Sequence, residues 1–354
     1  MTAPTLPAAD DSPEQTIRAL PKVELHLHLE GTIRPRTVRE LAAEYEPQSL
    51  LSAPDWHEHF WTFTDLAGFV TQMRQVSLAC LRQPDDYYRL AVECFADLAA
   101  QHVRYAEVMF GFRGPEAPHP IPYPDLVAAI ERARREAEAI WPLRIGLLSS
   151  LVRTQPDSAV PLVRQAITAR ERGAAIVGID LVGDEAAGQD FTALAPAFRL
   201  AAEAGMGLGA HAGEAAGPES CWGALRMLGA RRLGHATRAE ADASLVEHLR
   251  SEQITLTMCP TSNIRTGAIA SLADHPIRAF HQRGLAVTVN SDDPTHFGST
   301  VTDEYLLLVR RLGFSFADLR QLTLNAVEGA FQPAAMRAVL RAEVQHAWSA
   351  AVPE

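Results

Sequence analysis

Residues 21–35 read PKVELHLHLEGTIRP. Val23, Leu25, Leu27 and Leu29 alternate with Glu24, His26, His28 and Glu30. A period of two marks a strand with one apolar and one polar face. The polar face is unusual, because it carries two imidazoles about 6–7 Å apart along the strand and ends in an acid. Two histidines on one face rarely serve packing. The stretch therefore predicts a strand whose polar side points at a single object.

Outward from this strand the same unit recurs. The runs VRYAEVMF (103–110), LRIGLLSSL (143–151), AIVGIDLVG (175–183), MGLGAHAGE (206–214), RRLGHAT (231–237), ITLTMCP (254–260) and LAVTVNSDD (285–293) predict seven more strands. Helical stretches such as DLVAAIERARREAEAI and FTALAPAFRLAAEAG lie between them, and Gly173, Gly205 and Gly284 stand where helix C-caps are expected. Apolar strands alternating with helices predict a parallel sheet covered on its faces. Eight such units predict an α/β fold of the (β/α)8 TIM-barrel type. A doubly wound open sheet is the alternative, but no GxGxxG follows the first strand. Residues 40–85 read as a helical insertion after strand one, placed to roof the barrel mouth. Residues 313–350 read as extra C-terminal helices. No composition shift marks a boundary, so 18–354 is expected to be one domain. Residues 1–17, rich in Pro, Ala and Asp, lack the basic start and apolar core of a secretory leader and are expected to form a mobile tail.

Composition narrows the function. A net charge of -11 argues against a nucleic-acid surface, which needs a basic patch. No apolar run approaches the ~20 residues of a membrane helix. Cys80, Cys94, Cys221 and Cys259 form no CxxC pair, which suits reduced thiols in a cytoplasm. The expected partner is a small molecule, with the oligomeric state left open. Lys22 is the one lysine in the chain, so a mechanism built on an active-site lysine has one candidate.

In a barrel the active site lies at the C-terminal ends of the strands. Strand one ends in His26, His28 and Glu30; strand four in Asp180, Gly183 and Asp184; strand five in His211 and Glu214. Strand six carries His235, and strand eight ends in Asp292 and Asp293. Each alone has an ordinary reading, a hydrogen-bonded histidine or a turn aspartate before Pro294. Chance would have to act at each strand separately. A second HxH, His57 and His59 in DWHEHFWTF, lacks strand alternation and reads as surface or lid. Three histidines and a carboxylate suit zinc or another borderline divalent metal. Such a metal lowers the pKa of bound water from 15.7 to about 7. Glu214, three residues after His211, is placed to exchange protons beside it. Two-metal barrel hydrolases often bridge their metals with a carbamylated lysine on strand four. Strand four here has no lysine, which favours one metal.

These residues resemble the adenosine deaminase family of the amidohydrolase superfamily. The likeness runs from PKVELHLHLEG through GIDLVGDE, HAGE, RLGHA and MCPTSN to NSDDP, residues 21 to about 330. It is not the cytidine deaminase type, whose HxE and PCxxC motifs are absent. The resemblance implies His26, His28, His211 and Asp292 as ligands of one divalent metal, zinc with iron as the alternative. It implies Glu214 as proton donor to purine N1 while hydroxide attacks C6, and His235 as the group that orients the hydroxide. Asp293 would bond N7, and the Gly183 N–H would reach N3. Ammonia then leaves and a 6-oxopurine remains.

The departures matter. Glu30 stands in HLEG where adenosine deaminases carry HLDG, an Asp that contacts the ribose 5′ hydroxyl, and Ala236 replaces a Gly. HLEGTIRP, HAGEAAGPES and SNIRTGAIASLADHP look closest to deaminases of 6-amino-6-deoxyfutalosine, an intermediate of menaquinone biosynthesis that carries a benzoate on its 5′ side. Adenosine and then adenine are the alternative substrates, and a catalytically inactive binding protein is the alternative of another class. Arg34, in the loop after strand one, is expected to fork onto the substrate carboxylate, with Arg36 and Arg153 as weaker candidates.

Overall fold

A computed structural model describes residues 13–111, 118–188 and 190–351. Eight strands form one parallel sheet in chain order: β1 (Lys22–His28), β2 (Val103–Phe110), β3 (Arg144–Val152), β4 (Ile176–Val182), β5 (Gly207–Ala212), β6 (Arg232–His235), β7 (Thr255–Met258) and β8 (Val287–Val289). Helices connect them, as the alternating pattern requires. Strand residues are buried on both faces almost throughout, because side chains fill the barrel inside and helices cover it outside.

The seam between β8 and β1 closes the barrel and builds the site at the same time. β8 is much shorter than the run 285–293. After Val289 the backbone leaves the strand, and Asp292 adopts φ +65°, a left-handed conformation that Asp tolerates better than most residues. There His28 N–H donates to the Asp292 carbonyl at 2.9 Å, and Asp292 N–H donates to the His26 carbonyl at 3.0 Å. Lower down, Leu25 N–H donates to Asn290 Oδ1 at 2.8 Å. Asp292 is thus stitched directly to the HxH strand.

His26 and His28 of β1 look into the barrel. His26 reaches Thr257 on β7, and His28 meets His211 on β5, strands that do not neighbour β1 in the sheet. Lys22 lies at the opposite end. Its ammonium donates to the carbonyls of Arg18, Leu20 and Gln101 at 3.2, 2.9 and 3.1 Å, so it is held by the backbone there and serves no metal bridge. Above it Arg232 and Glu107 pair in the core at 2.5 Å.

Between β1 and β2 the chain forms the helices Pro35–Tyr45, Trp56–Phe60, Leu66–Cys80 and Pro84–Ala100. The aromatic stretch after Phe60 packs on the short helix Pro294–Phe297 that follows Asp293: Trp61 lies 4.4 Å from His296, and Phe69 4.6 Å from Phe297, between ring centroids. His57 and His59 are exposed. The end of the chain adds Phe316–Gly329 and Ala334–Ala351, and Trp348 Nε1 donates to the Pro21 carbonyl at 3.1 Å. Residues 13–17 belong to the helix Pro13–Ala19, whose Ile17 is buried in the core; residues 1–12 of the expected tail lie outside the described residues.

Candidate active site

Four atoms from three strand ends converge. His26 Nε2 and His28 Nε2 each lie 3.2 Å from Asp292 Oδ1, and His28 Nε2 lies 3.2 Å from His211 Nε2. Ring centroids of His26 and His211 are 4.5 Å apart. Donor atoms of His26, His211, His235 and Asp292 gather within one small sphere, and those of His28, Asp292 and Asp293 within another.

The outer nitrogens show which ring atoms face inward. His211 Nδ1 lies 2.9 Å from Asp180 Oδ1. A carboxylate accepts, so Nδ1 carries the proton and Nε2 presents its lone pair. His26 Nδ1 lies 2.9 Å from the Thr257 hydroxyl, whose own proton goes to the Leu233 carbonyl. Nδ1 is again the donor, and Nε2 again faces the cluster bare. Burial and the neighbouring histidines hold His26 down at about 3 and His211 well below the ordinary range. Both are neutral, the state that can ligate a metal.

His26 Nε2 is buried and has no hydrogen-bond partner. Such an orphan is rare in a folded interior, and a metal ion accounts for it. His28 fits the same account: burial works against its charge, yet Asp293 and Asp292 hold its pKa up to about 10. The carboxylates demand a positive charge there. Three imidazoles and a carboxylate are a donor set of the kind zinc takes.

Beside the cluster Glu214 is buried, with Oε2 3.5 Å from His235 Nε2 and Oε1 3.3 Å from the Thr266 hydroxyl. Burial raises its pKa, against the pull of His235, so it can hold a proton to give. The backbone at His235 and Ala236 is left-handed, φ +62° and +51°, so Ala236 takes a conformation that Gly adopts more easily.

The profile of the adenosine deaminase family matches residues 21–347. The chain belongs to the adenosine deaminase family. An aminodeoxyfutalosine deaminase of Streptomyces avermitilis is 38% identical over 93% of this chain and 91% of its own length. An adenosine deaminase of Shigella flexneri is 34% identical, covering 92% and 98%. Among solved structures, an adenine deaminase from Arthrobacter aurescens superposes with a TM-score of 0.84 at 32% identity, covering 93% and 99%. An amidohydrolase from Burkholderia ambifaria with bound zinc gives 0.87 at 29% identity, covering 98% and 97%. The protein is a metal-dependent deaminase.

In this deaminase Asp293 is buried next to Asp292, and its carboxyl is pushed well above the usual range by burial and by that neighbour, with His28 opposing. Asp292 is held well below it, against burial, by His26 and His28. One of the pair is ionised and the other keeps a proton. A Cβ on Gly31 would sit 2.0 Å from Asp293 Oδ1 and 2.7 Å from its Cα, so only glycine lets the loop after β1 lie against Asp293. Glu30 is buried, and its Oε1 accepts the Gly111 N–H at 2.9 Å. Gly183 follows β4 with φ +98°.

Arg34, expected to fork onto a substrate carboxylate, meets a protein carboxylate in this structure. It caps the helix Pro35–Tyr45, and its guanidinium forks onto Asp97 at 2.6 and 3.1 Å on the half-exposed surface. The fork expected for a substrate carboxylate is already filled by a protein one. Arg153, by contrast, is buried at the end of β3 and donates to the carbonyls of His211 and Gly188 at 2.6 and 3.2 Å.

Sequence reasoning passed over Glu185, Asn263 and His275. The Glu185 carboxylate accepts the N–H groups of Gly213, Glu214, Ala215 and Ala216 at 2.6–2.9 Å. It holds the turn that carries Glu214. Asn263 and His275 are fully or nearly fully buried and line up behind His235. Their signal lay in SNIRTGAIASLADHP, where two polar residues sit among ordinary loop residues.

Proposed function

We propose that the chain removes the 6-amino group of a purine nucleoside by hydrolysis, and that 6-amino-6-deoxyfutalosine is its substrate. The observation that carries the reaction is the meeting of His26, His28, His211 and Asp292 with the buried Glu214–His235 pair. One divalent metal, zinc in this reading, would be held by those four side chains, and bound there it supplies a water acidic enough to ionise near neutral pH.

Glu214 gives its proton to purine N1, which leaves C6 electron-poor and open to attack. His235 presents a donor to the incoming oxygen. Asp293, kept protonated, donates to N7, whose lone pair needs a donor; the Gly183 N–H does the same for N3. Water adds at C6, one of its protons passes to the departing amino group and the other returns to Glu214, the C6–N bond breaks, and ammonia leaves a 6-oxopurine that keeps the proton on N1.

The substrate reading is supported by the 38% identity to the Streptomyces aminodeoxyfutalosine deaminase and by Glu30 at the 5′ end of the site. Adenosine is the second reading, favoured by the 34% identity to the Shigella adenosine deaminase. The test is a comparison of kcat/KM for 6-amino-6-deoxyfutalosine, adenosine and adenine, followed by loss of the adenine absorbance band. The reading expects the first to exceed adenosine at least tenfold. A reversed order returns adenosine, and no turnover of any of the three refutes the function.

A further inference from the structure

His235 presents the same ring to the cluster as the two neutral ligand candidates. Its centroid lies 4.7 Å from that of His26 and 5.2 Å from that of His211, and its donor atom falls inside the group that could hold a metal. Distance alone does not tell it from a ligand. The partner on its outer nitrogen does.

The chain of hydrogen bonds behind His235 begins at His275. Ile277 N–H donates to His275 Nδ1 at 3.2 Å. A backbone N–H can only donate, so this Nδ1 bears a lone pair, and the proton of a neutral imidazole sits on Nε2. Burial keeps His275 neutral, with a pKa of about 3. His275 Nε2–H therefore donates to Asn263 Oδ1 at 3.1 Å. An amide has its oxygen on one side and its N–H2 on the other, so Asn263 turns Nδ2 toward His235 Nδ1, 3.1 Å away. His235 Nδ1 must accept. Its own proton is on Nε2, the atom that faces Glu214. Asn263, His275 and His235 are 0%, 4% and 1% exposed, so bulk water does not compete for these links.

We propose that His275 and Asn263 are positioning residues that fix the proton of His235 on Nε2, making His235 a hydrogen-bond donor into the site instead of a fourth imidazole ligand. Three similar imidazoles are sorted by what stands behind them. Asp180 and Thr257 accept, and turn His211 and His26 into lone-pair donors. Asn263 donates, and turns His235 into an N–H donor.

The test reads ring protonation directly in metal-free protein, by long-range 1H–15N spectra of 15N-histidine-labelled chain, with the His235 signals assigned from His235→Gln. The wild-type chain is expected to show His235 protonated on Nε2 and bare at Nδ1. Asn263→Asp keeps the shape but only accepts, and should move a proton onto Nδ1. His275→Glu should do the same without touching Asn263, because an acceptor at 275 turns the amide round. In the metal-loaded enzyme both changes should lower kcat on adenosine by about 10²-fold or more, the lower end for a general acid–base group. His275→Gln, which restores a donor near the Nε2 position, should rescue most of the loss seen in His275→Glu. A proton on Nδ1 of His235 in the wild-type spectrum overturns the proposal, and that result needs no variant to fold. So does a His235 unchanged in both acceptor variants. The kinetic arm rests on the deaminase reading; the spectra do not. Spectra as expected with kcat intact would leave the relay standing and remove His235 from the reaction.

Discussion

Changing Asp180 to Asn isolates the support behind one ligand candidate. Asp180 Oδ1 accepts the proton of His211 Nδ1 at 2.9 Å in a buried site. Its Oδ2 lies over Gly209, where a Cβ would come within 2.0 Å, so the carboxylate fits there because position 209 has no side chain. Asn can still present a carbonyl oxygen to His211. A hydrogen bond to a charged group contributes about 1.5–3 kcal/mol and a neutral one about 0.5–1.5, so the exchange loses roughly 1–1.5 kcal/mol. That difference is about 5- to 13-fold in affinity. It bears on metal binding because a metal on Nε2 draws charge from the ring and strengthens the Nδ1–H bond to an anion. Loss of orientation adds to it, and outer partners of ligating histidines are typically worth 10- to 100-fold. The expected result is metal affinity lowered at least about tenfold. Competition against a chromophoric chelator at fixed pH measures it. An affinity within twofold of wild type would refute the claim that Asp180 sets the His211 lone pair.

Arg34→Met is expected to leave kcat/KM on adenosine and on 6-amino-6-deoxyfutalosine within about twofold, since the guanidinium already serves Asp97 and an exposed pair contributes only ~0.2–1 kcal/mol. A selective fall of more than tenfold on the carboxylate-bearing substrate would restore Arg34 as its receptor. Glu304, buried with its carboxylate on Ser299 and Thr261, has its pKa pushed up by burial to about 7. The native state then holds a proton that the unfolded chain releases from about 4.5 upward, so stability declines as pH rises through that window. Glu304→Gln should flatten this part of the stability–pH curve in denaturant titrations at pH 5 and 7, and an unchanged difference between the two would count against the assignment.

The barrel was legible because its code is local. Eight apolar runs separated by helical patterns state a parallel sheet, and the alternation in KVELHLH states that His26 and His28 share a face. Strand limits were less legible. The run 285–293 reads as strand from Leu285 up to the polar NSDD, yet only Val287–Val289 is strand. The backbone leaves the sheet where Asp292 turns left-handed to bond with β1, a demand of barrel closure that strand eight does not carry in its own residues. The helix Pro13–Ala19 was hidden in the same way: its composition reads as a tail, and only the core pocket that receives Ile17 makes it ordered.

Residue identity at the strand ends placed Glu214, Asp293 and the histidines in one region, because a barrel brings every C-terminal strand end to one rim. It could not say where Arg34 points. A long side chain in a loop goes to the nearest unfilled partner, and Asp97 lies 63 positions away in the chain. Nor could it separate His235 from His26 and His211. All three are histidines at strand ends, and a histidine becomes a lone-pair donor or an N–H donor according to the atom behind it. Those atoms come from Asp180, Thr257 and Asn263, on segments that meet only when the barrel closes. The sequence by itself determined the fold, the rim and the kinds of group on it; the tertiary structure decided which way each proton faces, because a proton's place is set by its neighbour in space and not by its neighbour in the chain.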